Sequence, residues 1–275
     1  MLDKNFIRKK LEEFLLEDIG YKDLTTDNIE NHKVIKAYII AKEDILVSGV
    51  DFALEVFRLL DSNIEVLFQV KDGDFVEKGK EIAIFKAYSS AVLKGERTAL
   101  NILQRLSGIT TNTKKYVEKI KDTDVKLLDT RKTTPGFRAF EKYAVSVAGA
   151  YNHRFALYDM VLIKDNHISL VGSIKEAVKQ IKEKISPMVK IEVEVSNLSQ
   201  LEEALNTQAD IIMLDNMSLE EIKKAVEINN YQKELEVSGN ITLGNIREFA
   251  LTGVNYISSG SIIHASRWVD ISLRI

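Results

Sequence analysis

The chain of 275 residues contains no cysteine and only two prolines. Without cysteine it forms no disulfide and has no thiolate nucleophile, so any metal site must use oxygen or imidazole ligands. Long hydrophobic runs are also missing, because no apolar stretch approaches the roughly 20 residues that a helix needs to cross a bilayer. These absences exclude a disulfide scaffold, a zinc–thiolate site and a helical membrane protein.

A strong charge of one sign is lacking as well. The net charge of -3 argues against a protein whose whole surface binds nucleic acid, although it does not exclude a local cationic pocket. The first segment, MLDKNFIRKKLEEFLLEDIG, is charged and amphipathic, unlike a secretory signal. The composition therefore predicts a soluble cytoplasmic protein with no membrane or nucleic-acid partner.

The hydrophobic pattern up to about residue 110 predicts an α+β domain. A helical pattern covers residues 3–17, and the runs VIKAYIIAK, DILVSGV, IEVLFQV and EIAIFKAY are typical of antiparallel strands. The segment DFALEVFRLL predicts a helix between them. A longer helix is predicted over residues 91–121, with Leu100, Leu103, Leu106 and Ile109 on its apolar stripe.

After residue 122 short apolar runs alternate with amphipathic helical segments. The apolar runs are VKLLDT, MVLIK, KIEVEV, IIMLD, ELEVSG and YISSG. Strands that alternate with helices at intervals of about 20–25 residues predict βα units and a parallel sheet. The number of units favours a closed or nearly closed barrel, but an open doubly wound sheet fits the same pattern.

Nearly every predicted strand of this second part ends in polar or ionisable residues. In βα barrels the active site lies at the carboxyl ends of the strands, so these residues are candidates for one shared site. They are Asp129, Thr130, Arg131, Lys132, Lys164, Asp165, Asn166, His167, Glu192, Glu194, Asp215, Asn216, Glu236, Ser238, Gly239, Ser258, Ser259 and Gly260.

The run IEVEV places Glu192 and Glu194 on the same face of one strand. Two carboxylates that point into a barrel repel each other unless a cation offsets their charge. Magnesium or manganese is one candidate, with Asp215 as a further oxygen ligand. An internal salt-bridge network is the alternative, and three basic residues are candidates for it: Arg131, Lys132 and Lys164.

Two glycine turns, SGN at 238–240 and SSGS at 258–261, each follow a predicted strand and precede a predicted helix. Glycine lets a backbone approach a ligand closely, and barrel phosphate sites often use the last two strands. An ordinary tight turn is the alternative for each. Together with the basic residues, the turns predict a polyanionic substrate, because arginine forks bind carboxylates and phosphates well. The basic set is Arg131, Lys132, Arg138, His153, Arg154 and Lys164.

Several motifs resemble those of the quinolinate phosphoribosyltransferases, also called carboxylating nicotinate-nucleotide pyrophosphorylases. These motifs are GERTALNILQRLSGI, LLDTRKTTPG, EKYAV, NHR, LYDMVLIKDNHI, IEVEV and IIMLDNMS. The likeness runs in order from EDIGYKDLTT to DISLRI. It implies an N-terminal α/β sandwich over residues 1–110 and an incomplete, open α/β barrel over 111–265, with residues 266–275 packing back on the first domain.

The resemblance also implies a reaction. Quinolinate and phosphoribosyl pyrophosphate would give nicotinate mononucleotide, pyrophosphate and carbon dioxide, with Mg²⁺ as cofactor. It further implies a homodimer or a hexamer built as a trimer of dimers, in which Arg97 reaches the site of the neighbouring subunit.

The roles of individual residues follow from the same resemblance. Lys132, Glu194 and Asp215 match the catalytic set, and Glu194 and Asp215 also match the metal ligands beside the ribose. The resemblance also assigns the residues that bind the carboxylates of quinolinate and the turns that bind the 5′-phosphate. Substrate-binding residues are thus expected at Arg97, Arg131, His153, Arg154, Lys164, Ser238, Gly239, Gly260 and His264.

Three departures from the family pattern concern glycines. Lys22, Ala150 and Asn240 stand where the family usually has glycine, which puts details of phosphate binding in question. Asparagine tolerates left-handed backbone geometry better than most residues, so Asn240 is expected to keep its turn.

Three alternatives for the function stay open at this point. They are a paralogue with the same phosphoribosyltransferase fold, a Schiff-base barrel aldolase that uses Lys164, and a non-catalytic metabolite sensor. The aldolase would need a desolvated lysine.

Overall fold

The computed structural model describes residues 3–29 and 33–275, and the chain divides into two compact units. Unit 1 comprises Met1–Thr113, Thr134–Ala148 and Ser266–Ile275, and unit 2 comprises Lys114–Thr133 and Gly149–Ala265. This division differs from the expected boundaries at 134–148, a stretch expected in the barrel that groups with unit 1.

Unit 1 combines helices with short antiparallel strands. Its elements, in chain order, are α1 (Lys4–Ile19), β1 (Val34–Ala41), β2 (Ile45–Leu46), α2 (Val50–Leu60), β3 (Glu65–Gln69), β4 (Phe75–Val76), β5 (Glu81–Tyr88), α3 (Ser89–Ile120), α4 (Arg138–Val147) and β12 (Ile271–Arg274). The last residues of α3 belong to unit 2. A 3₁₀ turn covers Thr26–Asn28.

Local sequence explains where the first helices form. The side chain of Asp3 accepts a hydrogen bond of 2.9 Å from the backbone N–H of Phe6, and so caps an otherwise unsatisfied donor at the start of α1. The predicted apolar stripe of α3 is buried, with Leu103, Leu106 and Ile109 fully covered. Burial of this stripe, more than intrinsic propensity, stabilises a helix in a folded domain.

Four strands form the larger antiparallel sheet of unit 1, in the order β12–β1–β5–β3. The strand nearest the carboxyl end, β12, pairs with β1 in the register Tyr38 to Arg274. Strands β2 and β4 form a separate two-stranded ladder. The last residues of the chain are therefore part of the sheet of unit 1.

Unit 2 alternates strands and helices as predicted. Its elements are β6 (Lys126–Leu128), β7 (Val161–Ile163), α5 (Asp165–Val171), α6 (Ile174–Lys182), β8 (Ile191–Val195), α7 (Leu198–Leu205), β9 (Ile211–Asp215), α8 (Leu219–Asn229), β10 (Glu234–Ser238), α9 (Ile246–Ala250), β11 (Tyr256–Ser258) and α10 (Ser261–His264).

The strands of unit 2 form one parallel sheet in the order β6–β11–β10–β9–β8–β7. The first strand lies beside the last, which is the order of a barrel and not of a doubly wound sheet. Tyr151 forms an isolated parallel bridge to Leu128 at the free edge of β6. No ladder joins this segment to β7 among the described residues, so the barrel is incomplete, as the resemblance implied.

Within the described ranges 3–29 and 33–275, no helix has both the length and the apolar character required to span a membrane.

Candidate active site

A pocket of about 600 Å³ opens at the carboxyl ends of the barrel strands, and all its lining residues belong to unit 2. Its walls combine basic, acidic and glycine-turn residues from six strand ends. The lining residues are Thr130, Arg131, Lys132, His153, Arg154, Leu162, Lys164, Glu194, Met213, Asp215, Asn216, Ser238, Gly239, Asn240, Ile241, Thr242, Ser258, Ser259, Gly260, Ser261 and His264.

Most residues that the sequence singled out meet in this pocket. Arg97 and Arg138 do not line it and belong to unit 1. His167 does not line it either, because its Nδ1 accepts the backbone N–H of Lys164 and helps to cap α5. The predicted residues in the wall are Thr130, Arg131, Lys132, His153, Arg154, Lys164, Glu194, Asp215, Asn216, Ser238, Gly239, Ser258, Ser259, Gly260 and His264.

Two exposed cations and one buried cation form the basic wall. Arg131 and Lys132 are exposed on the loop after β6, whereas Arg154 is almost completely buried. The Nη1 of Arg154 donates to the carbonyl of Met160 at 3.0 Å. Burial, and then the nearby charge of Arg131, lower the pKa of Arg154, whereas the charges of Glu192 and Asp159 act in the opposite direction. An anion that binds there would relieve this repulsion.

Asp129, the acid of the LLDTRKTTPG motif, is buried and does not line the pocket. Its buried carboxylate accepts hydrogen bonds of 2.8 Å from the side-chain amide of Asn152 and from the backbone N–H of His153. Charge-assisted bonds of this kind are about twice as strong as neutral ones. Asp129 therefore joins the end of β6 to the NHR segment, which carries two of the pocket residues.

The same motif is anchored again farther along, at Thr134. The carboxylate of Glu141, fully buried in α4, accepts the backbone N–H of Thr134 at 2.8 Å and its hydroxyl at 3.0 Å. Arg105 of α3 donates two hydrogen bonds to the same carboxylate, at 3.0 and 2.7 Å. A buried carboxylate with four donors is well satisfied, so it fixes the loop downstream of Arg131 and Lys132.

The acidic wall consists of Glu194 and Asp215. The ammonium group of Lys164 donates to Glu194, and Asn216 donates to Asp215 at 2.7 Å. Part of the salt-bridge network that the sequence left open is therefore present. Lys164 is 45% exposed and ion-paired, which is the opposite of the desolvated amine that a Schiff-base aldolase requires.

The first glycine turn packs closely against a neighbouring strand end. Gly239 has φ 96°, and a β-carbon at this position would lie 2.2 Å from the Oδ1 of Asn216, so no other residue fits. The next residue, Asn240, has φ 54° and is left-handed, as expected. Its side-chain amide donates to the same Oδ1 at 3.1 Å, which ties the turn to the end of β9.

The second glycine turn brings a cation close to the backbone. A β-carbon on Gly260 would lie 2.9 Å from the Cδ of Lys132, so glycine leaves room for that side chain. The hydroxyls of Ser259 and Ser261 both donate to the carbonyl of Ile241, at 3.1 and 3.2 Å. The two turns are thus joined by hydrogen bonds and face the same pocket.

A buried carboxyl pair lies beneath the basic wall. Glu192 and Glu236 are at most 1% exposed, and the Nε2 of His153 lies 3.0 Å from Glu192 and 3.5 Å from Glu236. Burial raises the pKa of Glu192 to about 7, and burial together with the charge of Glu192 raises the pKa of Glu236 to about 8. The pair therefore retains protons at pH values where ordinary carboxyls have lost them.

Sequence reasoning missed some of the pocket wall. Leu162, Met213, Ile241 and Thr242 line the pocket but were not named as candidates, whereas Asn216 was named among the strand ends and Asn240 within the SGN turn. No motif in the sequence around Thr242 identified this residue as a candidate.

Two family models match the chain one after the other. The model described as "Quinolinate phosphoribosyl transferase, N-terminal domain" matches residues 23–107, and the model described as "Quinolinate phosphoribosyl transferase, C-terminal domain" matches residues 109–274. The second match contains every residue of the pocket wall.

Curated sequences show the same similarity over more than nine-tenths of their lengths. A Bacillus subtilis protein named probable nicotinate-nucleotide pyrophosphorylase (carboxylating) is 44% identical over 269 residues, which cover 98% of this chain and 93% of that protein. A Methanocaldococcus jannaschii protein of the same name is 44% identical over 282 residues, covering 99% and 98%.

Solved structures agree with the sequence comparisons. The crystal structure of NadC from Streptococcus pyogenes superposes with a TM-score of 0.95 at 40% identity, covering 100% of this chain and 98% of that one. The nicotinate-nucleotide pyrophosphorylase structure from Francisella tularensis gives a TM-score of 0.93 at 41% identity, covering 100% and 97%.

Proposed function

This chain belongs to the quinolinate phosphoribosyltransferase family, and we propose that the barrel pocket is where it joins quinolinate to phosphoribosyl pyrophosphate. The protein is a phosphoribosyltransferase of NAD biosynthesis, and its products are nicotinate mononucleotide, pyrophosphate and carbon dioxide. The observation that carries the assignment of the site is the meeting of a basic wall, an acidic wall and two glycine turns in one pocket.

The basic wall suits the two ring carboxylates of quinolinate. Arg131 and Arg154 offer planar forks that pair with carboxylates through two hydrogen bonds, and Lys132 adds a flexible point charge. Because Arg154 is buried beside Arg131, a carboxylate that binds there would stabilise both guanidinium groups. We assign quinolinate to this wall, with Lys164 at its edge.

The acidic wall suits the transfer step. In the proposed reaction the pyridine nitrogen forms a bond to the anomeric carbon as the bond to pyrophosphate breaks, and positive charge develops on the ribose. Glu194 and Asp215 are fixed by Lys164 and Asn216 before substrate binds. Preorganised carboxylates stabilise developing positive charge without having to reorient.

The two glycine turns are proposed to hold the 5′-phosphate. Backbone N–H groups and hydroxyls at Ser238, Gly239 and Gly260 can donate to phosphate oxygens, and Lys132 and His264 lie beside Gly260. With the 5′-phosphate at the glycine turns, the basic wall is left free to bind quinolinate.

Magnesium is proposed as the cofactor, and the donor set of the pocket fits it. Magnesium is usually bound by one or two carboxylates together with substrate phosphates, and Glu194 and Asp215 supply hard oxygen donors of that kind. Bound there, the ion would neutralise charge on the leaving pyrophosphate. Within the described residues, Glu194 and Asp215 belong to no group of three or more side chains that could hold a metal ion by themselves. This favours binding of magnesium together with the substrate phosphates.

Loss of carbon dioxide is proposed to follow transfer. The bond between ring carbon 2 and its carboxylate breaks, the electron pair stays on the ring carbon, and a proton then replaces the carboxylate. The quaternised ring nitrogen stabilises that electron pair, and the nearby Arg131 and Lys132 add positive charge. The 3-carboxylate remains on the product.

We further propose that the active assembly is a homodimer, alone or within a hexamer, in which Arg97 completes the pocket of the neighbouring subunit. Arg97 is exposed on α3 and, among the described residues, makes no ion pair. An exposed arginine that forms no ion pair within residues 3–29 and 33–275 is available to a second copy.

Substrate choice tests the proposed function. Purified protein with Mg²⁺ and phosphoribosyl pyrophosphate should convert quinolinate to nicotinate mononucleotide, measured by chromatography, and should convert nicotinate poorly. Nicotinate lacks the 2-carboxylate, so the basic wall would keep an unpaired cation. Equal rates with the two acids, or no product from quinolinate, would overturn the proposal.

A further inference from the structure

The ring of His153 is held on both sides by groups of its own chain. Its Nε2 lies 3.0 Å from the carboxylate of Glu192, and its Nδ1 accepts the backbone N–H of Arg154 at 2.8 Å. The side chain is only 8% exposed. Both ring nitrogens are therefore engaged within the barrel, although the ring lines the pocket.

These two contacts determine where the ring hydrogen lies. Because Nδ1 accepts an N–H, it cannot carry a hydrogen, so the neutral ring carries its hydrogen on Nε2 and donates it to Glu192. His153, Glu192 and Glu236 also form a cluster of the kind that can hold a metal. Metal on Nε2 would move the hydrogen to Nδ1, against the N–H of Arg154, so the geometry favours the hydrogen bond.

Glu236 lies beside this pair. Its carboxyl is 3.5 Å from the Nε2 of His153, and the pKa values of both carboxyls are raised. Burial is the larger cause of both raised values. The charged groups that face Glu192 are Arg154, Lys164 and Glu194.

We propose that Glu192 is a positioning residue for the reaction: it holds the Nε2–H of His153 and thereby directs Arg154 at a carboxylate of the substrate. The segment is then fixed at two places, because Asp129 holds the backbone of His153 while Glu192 holds its ring. This inference rests on the proposed function, which places quinolinate at Arg154. It also gives His153 a role through its neighbour and not through direct contact with substrate.

Two variants of Glu192 separate positioning from charge. Glu192→Leu removes the acceptor and should raise the KM for quinolinate about tenfold, the effect of one hydrogen bond, with the KM for phosphoribosyl pyrophosphate changed less than about twofold. Glu192→Gln keeps a carbonyl that accepts the Nε2–H, so it should restore the quinolinate KM to within about threefold. Glu202→Leu, at an exposed position on α7, is the matched control.

A second measurement does not depend on turnover. Nitrogen-15 NMR of the histidine rings in the full chain should show His153 as the Nε2–H tautomer in the wild type and in Glu192→Gln, and as a mixture in Glu192→Leu. The His153 signals are identified by their loss in His153→Asn.

Three results would overturn the inference: an Nδ1–H tautomer in the wild type, an unchanged quinolinate KM in a folded Glu192→Leu, or equal defects in both Glu192 variants. If Glu192→Leu does not fold, the tautomer of His153 in the wild type and the kinetics of Glu192→Gln still test the inference. If the wild type makes no product, the proposed function fails while the tautomer still tests the contact.

Discussion

The carboxylate of Asp129 accepts the backbone N–H of His153 at 2.8 Å, although 24 positions separate the two residues. This contact joins the strand-end acid of LLDTRKTTPG to the NHR motif, so two motifs that are far apart in sequence act as one wall of the pocket. Asp129 is fully buried and does not itself line that pocket. It stabilises this wall from a buried position outside the pocket.

Asp129→Ala should be damaging in two ways. It removes the charged acceptor of the backbone N–H of His153 and of the exposed side-chain amide of Asn152, and loss of charge-assisted hydrogen bonds of this kind costs about 1.5–3 kcal/mol. Urea denaturation should therefore show a clear loss of unfolding free energy, and the quinolinate KM should rise. Asp129→Asn keeps one carbonyl acceptor, so its unfolding free energy and its quinolinate KM should lie between those of the wild type and Asp129→Ala. A stable Asp129→Ala with wild-type kinetics would contradict the anchoring role.

Arg131→Ala should weaken quinolinate binding without unfolding the protein. The side chain is exposed, so its loss leaves no cavity, but one charge-assisted contact worth about 1.5–3 kcal/mol disappears. The quinolinate KM should rise about tenfold or more in steady-state assays. Arg8→Ala removes an equally charged side chain from the exposed face of α1 and serves as control, since its surface ion pairs contribute little. Matching kinetics in the two variants would remove Arg131 from the site.

The buried carboxyl pair predicts a pH-dependent stability. The pKa values of Glu192 and Glu236 rise from a usual 4.5 to about 7 and about 8, so the folded state binds more protons than the unfolded state between these limits. Their contribution is full below pH 4.5 and is lost as the pH rises towards 8. Glu236→Gln removes one of these groups, so its unfolding free energy should fall less from pH 5 to 8, measured by circular dichroism in urea. An identical decline in the variant would show that Glu236 titrates normally.

The proposed role of Arg97 predicts complementation between two inactive variants. Arg97→Ala and Arg154→Ala should each be nearly inactive, because each lacks a cation for quinolinate. Co-expressed in equal amounts, they form hybrid dimers with one intact site, so about a quarter of the wild-type activity should return if the pairing is random. No recovery from hybrids that are confirmed by mass spectrometry would show that Arg97 acts in its own chain or not at all.

Periodicity and strand-end chemistry made much of the fold and of the pocket predictable. The alternation in IEVEV placed Glu192 and Glu194 on one face, and strand ends of a barrel must converge, so most of the wall followed from the sequence. The left-handed backbone of Asn240 was likewise predictable, because it depends on local geometry.

Long-range contacts were not predictable in the same way. The partner of Glu192 is His153, 39 positions away, and the direction of the ring depends on a backbone N–H that no pattern reveals. The grouping of residues 134–148 with unit 1 reflects the anchoring of Glu141 by Arg105, which is a tertiary contact. Residue type shows which groups are available, whereas packing decides which of them meet.

The coupling of carbon dioxide release to ribosyl transfer tests the central claim most directly. Quinolinate labelled in its 2-carboxylate, incubated with the purified protein and Mg²⁺, should release labelled carbon dioxide in a one-to-one ratio to pyrophosphate, and only when phosphoribosyl pyrophosphate is present. Quinolinate labelled in its 3-carboxylate should release none. Release without phosphoribosyl pyrophosphate, or no release when calorimetry shows that both substrates bind, would contradict the account.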